Sequence, residues 1–382
     1  MDQKIILRGI TWNHSRGISP LQATSQRFTE LNPNVEIIWD KRSLQAFADE
    51  PIDKLAERYD FLIIDHPWAG FAAKNKVILP LNQHLPKAFI QDLKENSVGH
   101  SFESYTFNND VWALAIDAAT PVAASRPDLF AKLGLEIPNT FEELVSLSKK
   151  GGVIMPGIPQ DTLMNFYMFC CNLGEEVCVS KDEVVSEHIG IKALQMLRML
   201  AVNMPTEIWD WNPIKVYEAL SKGDSYYYSP WAYGYANYSR KGYAEHLLDF
   251  HDIVDIEGTN GISTLGGTGL AISAKTAHLD TALKYAQMVG SPTCQETVYF
   301  ESGGQPGHRK AWESEHTNSL ANNYFKNTLP TLDRAFLRPR YAGHMYFQDR
   351  AGAPIREYLM NGGDEKKILT KLNQVYLKSL EI

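Results

Sequence analysis

Short apolar runs alternate with amphipathic segments along the first part of the chain. Residues 4–10 (KIILRGI) and 35–39 (VEIIW) are rich in β-branched side chains, a composition typical of strands. Between them, apolar positions recur at helical spacing over 20–32, which predicts a helix. The uninterrupted apolar run 61–64 (FLII) is typical of a strand buried on both faces. This β-α-β order predicts an α/β fold with parallel strands.

The remainder of the chain has mostly helical spacing. Thr140, with Glu143 three residues later, is the signature of a capping box at a helix start. The segment Ser229-Pro230-Trp231 predicts a turn, because Pro230 fixes its own φ and restricts Ser229 to extended conformations. The other predicted elements are a strand over 111–116, helices over 127–133, 161–202, 212–222 and 278–289, and a strand over 270–273.

Several polar residues follow directly after predicted strands. Because ligands of α/β sheets gather at the carboxyl ends of strands, His14, Arg42, Asp65, His66 and Asp117 are candidate binding residues. The two carboxylates are suited to accept hydrogen bonds from sugar hydroxyls, and Arg42 is suited to an anionic group. For Asp65 a helix cap is the alternative, for His66 a buried structural histidine, and for Arg42 a solvated surface position.

Aromatic residues make up 11% of the chain and cluster near these positions. A flat aromatic face stacks on the C–H face of a sugar ring, and a tyrosine hydroxyl can also hydrogen-bond. Packing within the core is the alternative for each of them. The aromatic candidates at predicted strand ends and loops are Trp12, Trp68, Tyr228, Trp231 and Tyr233.

Composition narrows the class of partner. The 382 residues carry 37 Lys and Arg against 45 Asp and Glu, a net charge of −8. An acidic chain argues against nucleic acid as the main partner, because binding phosphates requires a basic surface. The sequence contains no apolar run near the ~20 residues that span a bilayer, so we expect no integral membrane protein.

Neither a metal nor a cofactor is expected. Cys170, Cys171, Cys178 and Cys294 lack the spacing of a metal-ligand set and are interpreted as reduced thiols in the core. The glycine-rich stretch 266–269 precedes a strand, whereas phosphate loops lead into a helix. The sequence holds no complete catalytic motif such as GxSxG or HExxH.

Taken in order, these pieces resemble the sugar-binding family of extracellular solute-binding proteins of ABC importers, which includes maltose-binding protein. The resemblance covers nearly the whole chain, and its motifs stand in register. The segments that carry it are 61–68 with 77–81, 129–135 with 138–144, 223–232, and 266–273 with 303–306.

This resemblance implies a two-lobed α/β fold, periplasmic-binding-protein-like, with a hinge of crossing strands and a cleft that holds the ligand. Lobe one would comprise 1–112 and 262–310, and lobe two 116–258 and 315–382. Trp231 matches the position of a cleft aromatic in this family, and Gly267 lies in the stretch that returns to lobe one.

The expected function is capture of a small polar solute, a carbohydrate or sugar derivative, by a monomer that delivers it to the membrane subunits of an ABC importer. Residues 1–9 have neither the long apolar region nor the small-residue cleavage site of an export signal. We therefore expect a periplasmic or cell-surface location if a signal has been removed, and a cytoplasmic one otherwise. A cytoplasmic enzyme that acts on a small polar substrate in the same cleft is the alternative function.

Overall fold

The computed structural model describes residues 4–382, which divide into two compact units. Unit 1 comprises the described chain up to Ala119, together with Gly266–Asn318 and Arg340–Ala342. Unit 2 comprises Thr120–Leu265, Ser319–Pro339 and Gly343–Ile382. None of the helices in residues 4–382 is long and apolar enough to cross a membrane.

Strands and helices alternate along the chain. The strands are β1 (Ile5–Trp12), β2 (Val35–Arg42), β3 (Phe61–Ile64), β4 (Thr106–Phe107), β5 (Asp110–Val111), β6 (Leu114–Ala119), β7 (Pro121–Ser125), β8 (Tyr228–Tyr233), β9 (Asp249–His251) and β10 (Gly266–Ile272). The helices of the first half are α1 (Ser15–Leu31), α2 (Leu44–Asp49), α3 (Ile52–Ala56), α4 (Ala69–Asn75), α5 (Lys87–Asn96), α6 (Ser101–Ser104), α7 (Pro127–Leu133), α8 (Phe141–Ser148) and α9 (Pro159–Asn172).

The second half is mostly helical. Its helices are α10 (Glu187–Ala201), α11 (Pro213–Ser221), α12 (Leu279–Gly290), α13 (Pro292–Cys294), α14 (Arg309–Glu313), α15 (Glu315–Leu320), α16 (Tyr324–Asp333), α17 (His344–Asn361) and α18 (Glu365–Leu380). Short 3₁₀ turns occupy His66–Trp68, Leu81–Gln83, Thr206–Asp210 and Ala236–Ser239, and Gln295–Tyr299 is π-helical.

A five-stranded sheet in the order β2-β1-β3-β10-β6 forms the centre of unit 1. β1 runs parallel to β2 and β3, as the sequence pattern predicts, whereas β10 runs antiparallel to β3 and β6. The core around this sheet is apolar and aromatic, and it includes Leu7, Phe28, Ile63, Leu270 and Tyr285. The carboxyl ends of β1, β2 and β3 therefore meet at one edge.

Unit 2 contains a three-stranded antiparallel sheet in the order β8-β7-β9. Helix α9 packs against α10 and α17, and α17 packs against α18. The turn predicted at Ser229-Pro230-Trp231 is wrong, because these residues lie inside β8. Proline has no N–H to donate to a neighbouring strand, so it is rare in central strands. It is tolerated here because β8 is an edge strand of its sheet.

Three helix predictions have different outcomes. The capping box is confirmed, since the Thr140 hydroxyl and the Glu143 carboxylate make both of its bonds at the start of α8. The predicted helix 20–32 begins earlier, at Ser15, because His14 caps α1 and Pro20 lies within the helix. The predicted helical stretch 161–202 is interrupted between Asn172 and Glu187, where Gly174 and Cys178 adopt positive φ.

The boundaries of the units differ from those predicted for the lobes. Unit 1 extends to Ala119, because β6 pairs with β10 in the unit 1 sheet, whereas the predicted boundary between the lobes lies at 112–116. Unit 1 resumes at Gly266 rather than 262 and continues to Asn318, beyond the predicted 310 and 315. The predicted start of lobe one at residues 1–3 lies outside the described residues.

Candidate functional site

Trp12 and Arg42 end two neighbouring parallel strands of unit 1 and are paired in register. Phe47 contacts both side chains: its ring lies 5.3 Å from the Trp12 ring, and the Arg42 guanidinium lies 5.5 Å from its centroid. Trp12 and Arg42 are both buried, with exposed fractions of 3% and 8%. The strand pattern that made them candidates in the sequence thus brings them together at the sheet edge.

The Trp12 indole lies against the first turn of α1. A Cβ added to Gly17 would be 2.5 Å from the indole ring, so only glycine leaves room for it there. The indole Nε1 is enclosed and has no hydrogen-bond partner in the described chain. A buried N–H of this kind is rare in native proteins and needs an acceptor from elsewhere.

The Arg42 guanidinium is held mainly by backbone. Nη1 donates to the Ala46 carbonyl at 3.1 Å and contacts Glu50 at 3.3 Å, and Nη2 donates to the Ile63 carbonyl at 3.2 Å. Burial lowers the pKa of Arg42, although Glu50 opposes the shift. Its Nε is enclosed and finds no partner among residues 4–382, which leaves one donor of the fork unused.

The chain after β3 carries three further candidates. Asp65 caps the turn His66–Trp68, and its carboxylate accepts a hydrogen bond from the His66 N–H at 2.9 Å. This is the capping role that the sequence offers as the alternative to ligand binding. His66 is fully buried, with its ring edge-on to Tyr105 at 6.2 Å. Trp68 packs edge-on against Phe71 at 5.4 Å, and its Nε1 also lacks a partner in the described part of the chain.

The other indoles of unit 1 provide a direct comparison. Trp39 donates to the Ser25 hydroxyl at 2.8 Å, Trp112 to the Phe107 carbonyl at 3.0 Å, and Trp312 to the Pro306 carbonyl at 2.6 Å. The indoles that pack elsewhere in this unit therefore have acceptors. The two indoles at the sheet edge do not.

Asp117 lies inside β6 and is bonded to Arg16. Arg16 Nε donates to Asp117 Oδ2 at 2.8 Å, and Nη2 contacts the other carboxylate oxygen. Both side chains are almost fully buried. The prediction that Asp117 follows a strand is wrong, because the residue lies within β6. Since Arg16 binds both oxygens of its carboxylate, Asp117 has little capacity left to accept hydrogen bonds from ligand hydroxyls.

Two remaining candidates of unit 1 have backbone roles. His14 is the N-cap of α1, and its Nδ1 accepts from the Arg16 N–H at 3.0 Å. Gly267 has a φ of +103°, and a Cβ there would lie 2.3 Å from the Asp117 carbonyl oxygen. Next to it, Thr268 buries a hydroxyl that has no partner in residues 4–382.

The three candidates of unit 2 lie on β8. Tyr228 is fully buried and lies 5.9 Å from Phe130, and burial raises the pKa of its phenol. Trp231 is 1% exposed and packs edge-on against Phe169 at 5.4 Å. Tyr233 is half-buried, with its hydroxyl 3.2 Å from the Thr264 hydroxyl. Trp231 is thus a core residue of unit 2, but its Nε1 and the Tyr228 hydroxyl are unpartnered in the described chain.

Sequence reasoning missed Asp161. This aspartate occupies the first turn of α9 and is 6% exposed, and its carboxyl group has no hydrogen-bond or ion-pair partner in the part of the chain that the structure describes. Burial alone raises its pKa to about 8. Pro159 at the first helical position marks the helix start in the sequence, but burial of the carboxylate depends on tertiary packing.

The described residues contain no group of three or more His, Cys, Asp or Glu side chains that could hold a metal ion. The cysteines are not disulfide-bonded, and all but Cys178 are buried. Burial raises the pKa of Cys171 to about 12 and that of Cys294 to about 11, so these thiols are protonated and unreactive near neutral pH.

Solved structures of sugar- and polyol-bound proteins are similar to the chain over nearly its whole length. The maltose-bound MalE3 of T. maritima has a TM-score of 0.84 at 17% identity, with 98% of this chain and 100% of that chain covered. A ribitol complex of an ABC transporter solute-binding protein from Agrobacterium radiobacter K84 has a TM-score of 0.83 at 17% identity, covering 98% and 99%. A Thermotoga lettingae solute-binding protein bound to α-D-tagatose has a TM-score of 0.83 at 15% identity, covering 99% and 100%.

These likenesses establish the two-lobed, periplasmic-binding-protein-like fold predicted from the sequence. No curated protein matches the chain in sequence. The family model of bacterial extracellular solute-binding proteins matches residues 24–317. The chain therefore belongs to the family of bacterial extracellular solute-binding proteins.

Proposed function

We propose that this solute-binding protein captures a small carbohydrate or polyol and presents it to the membrane subunits of an ABC importer. The observation that carries the proposal is the set of buried, unpartnered N–H and O–H groups on aromatic residues: Trp12 and Trp68 in unit 1, and Tyr228 and Trp231 in unit 2. Each combines an apolar face with a free hydrogen-bonding edge. This is the chemistry that a sugar ring and its hydroxyl groups require.

Hydrogen bonds to these groups would supply much of the affinity. A buried donor without a partner destabilises the ligand-free protein by about 1–3 kcal/mol, and a ligand oxygen that accepts the bond removes that penalty. The proteins of similar structure bind maltose, ribitol and α-D-tagatose. Their ligands guide the choice of probes.

We assign the protein no catalytic step, and we propose that it works as a monomer outside the cytoplasm. Membership of an extracellular solute-binding family supports this location. Light scattering tests whether the protein is monomeric in solution, and fractionation of the source cells tests its location. Recovery of each bound probe unchanged, by chromatography after long incubation, tests the absence of a reaction.

A thermal-shift screen followed by calorimetric titration tests the ligand class. The panel contains maltose, ribitol, D-tagatose and D-mannitol, with amino acids and short peptides as the contrasting classes. We expect saturable binding of at least one carbohydrate or polyol and none of the amino acids. Binding confined to amino acids or peptides would overturn the proposal.

A further inference from the structure

Three enclosed nitrogen atoms at the sheet edge of unit 1 share one property. Trp12 Nε1, Arg42 Nε and Trp68 Nε1 have no partner in residues 4–382. An indole N–H and a guanidinium N–H can donate a hydrogen bond but cannot accept one. A sugar hydroxyl that accepts such a bond must still donate its own proton to another group, whereas an anionic oxygen only accepts. These three donors therefore suit an anionic group of the ligand better than a hydroxyl.

Two of the donors lie on the same face of the sheet. Trp12 and Arg42 are paired in register at the ends of the parallel strands β1 and β2. Neighbouring strands lie about 4.8 Å apart, and side chains paired in register leave the sheet on the same side. Both side chains also contact the ring of Phe47. This arrangement allows one ligand group to accept hydrogen bonds from both residues.

The positive charge of Arg42 is only partly compensated. Glu50 Oε2 lies 3.3 Å from Arg42 Nη1, but Oε1 of the same carboxylate accepts from Arg58 Nη2 at 3.4 Å. One carboxylate thus serves two guanidinium groups. Burial lowers the pKa of Arg42 although Glu50 opposes the shift, so the buried cation is held at a cost. An anion bound beside Arg42 would reduce that cost.

Two other carboxylates of these strands are already engaged. Asp65, which follows β3, caps the next turn and accepts from the His66 N–H. Asp40 precedes Arg42 by two residues in β2, and it accepts from Arg8 at 2.8 Å and from Tyr59 at 3.0 Å. Neither contacts the Arg42 guanidinium. An additional acceptor for Arg42 therefore has to come from the ligand.

We propose that the sheet edge of unit 1 binds an anionic group of the solute, with Arg42 Nε and Trp12 Nε1 as its donors. This inference rests on the proposed function, and it narrows the ligand class to acidic sugars. Carboxylate and phosphate oxygens share the acceptor chemistry that an arginine recognises. The class therefore comprises uronic acids, aldonic acids and sugar phosphates. The Trp68 N–H remains available for a hydroxyl oxygen of the same ligand.

Calorimetric titration with matched acidic and neutral probes tests this inference. D-glucuronate, D-galacturonate and D-glucose 6-phosphate are compared with D-glucose and D-galactose in one buffer. At least one acid should bind about ten- to a hundredfold more tightly than its neutral counterpart, as expected for hydrogen bonds between charged groups. A preference for the uronates would identify the group as a carboxylate, and a preference for the phosphate would identify it as a phosphoryl group.

Three variants locate the preference. Arg42→Gln removes the charge and should lower the affinity for the acid to that for the neutral sugar. Arg58→Gln is the matched control, because Arg58 bonds to the same Glu50 but is exposed, and it should leave the preference unchanged. Trp12→Phe keeps a ring against Gly17, loses the N–H and should lower the preference about two- to tenfold. It replaces Arg42→Gln if that variant does not fold.

The outcomes separate this inference from the proposed function. Equal affinity of the wild type for acids and neutral sugars would overturn the inference alone, and so would an unchanged preference in Arg42→Gln. Binding confined to amino acids or peptides would overturn the proposed function.

Melting of the ligand-free proteins decides the case in which no probe binds. Replacing sodium chloride by sodium phosphate at constant ionic strength should raise the melting temperature of wild type and Arg58→Gln more than that of Arg42→Gln, because only the first two retain the anion site. Equal rises in all three proteins would overturn the inference.

Discussion

The sheet edge of unit 1 and strand β8 of unit 2 bury the same kinds of side chain in different settings. In unit 1, Trp12 is the last residue of β1, and Trp68 lies in the turn that follows β3. In unit 2, Tyr228 and Trp231 lie within a strand that is buried along nearly all its length. Both regions keep unpartnered polar atoms on aromatic rings. The two regions therefore share this chemistry and nearly complete burial, and they differ in that the rings of unit 1 lie at or just after strand ends whereas those of unit 2 lie within a strand.

The two regions also differ in how their ionic groups are arranged. Next to the unit 1 sheet edge, Asp117 is compensated by the guanidinium of Arg16. In unit 2, Asp161 has no such counterpart in the described chain. A satisfied buried pair fixes local geometry, whereas a buried acid without a partner is costly in the low-dielectric interior of the protein.

The largest expected effect is that of Trp231→Ala, which should impair both folding and binding. Trp231 is 1% exposed and packs on Phe169, so loss of the indole leaves a cavity and lowers the free energy of unfolding by about 3–5 kcal/mol. Denaturant unfolding beside calorimetric titration measures both. Normal affinity in the folded fraction would show that Trp231 is a core residue only.

Trp68→Phe should separate binding from folding in unit 1. The substitution keeps much of the ring contact with Phe71 but removes the unpartnered indole N–H. Affinity for the ligand should therefore fall about two- to tenfold, the value of one hydrogen bond. Trp39→Phe is the matched control, because the Trp39 N–H already bonds to Ser25. That control should lower stability by about 1 kcal/mol with affinity unchanged. Equal losses of affinity in Trp68→Phe and Trp39→Phe would contradict the proposal that the sheet edge of unit 1 binds the ligand.

How far the sequence predicts each region follows from the range of the interactions involved. The strands β1, β2 and β3 were predictable, because apolar runs are local features of the chain, although β1 and β2 extend to Trp12 and Arg42, beyond the predicted ends at 10 and 39. Strand β8 was not, since its pairing with β7 depends on residues more than a hundred positions away. The same holds for Asp117, whose partner Arg16 is 101 positions distant. Asp161 escaped prediction because only tertiary packing buries it.

The smallest expected effect comes from removing one tyrosine hydroxyl at each end of β8. Tyr233 lies 3.2 Å from the Thr264 hydroxyl, so Tyr233→Phe should lower the free energy of unfolding by about 0.5–1.5 kcal/mol. The Tyr228 hydroxyl is buried and unpartnered in the described chain, so Tyr228→Phe should leave the ligand-free protein equally or more stable. If the Tyr228 hydroxyl binds a ligand oxygen, this variant should weaken binding of a carbohydrate probe while it stabilises the free protein. A loss of stability in the ligand-free Tyr228→Phe variant would show that the hydroxyl already has a partner, and the comparison with unit 1 would then rest on Trp231 alone.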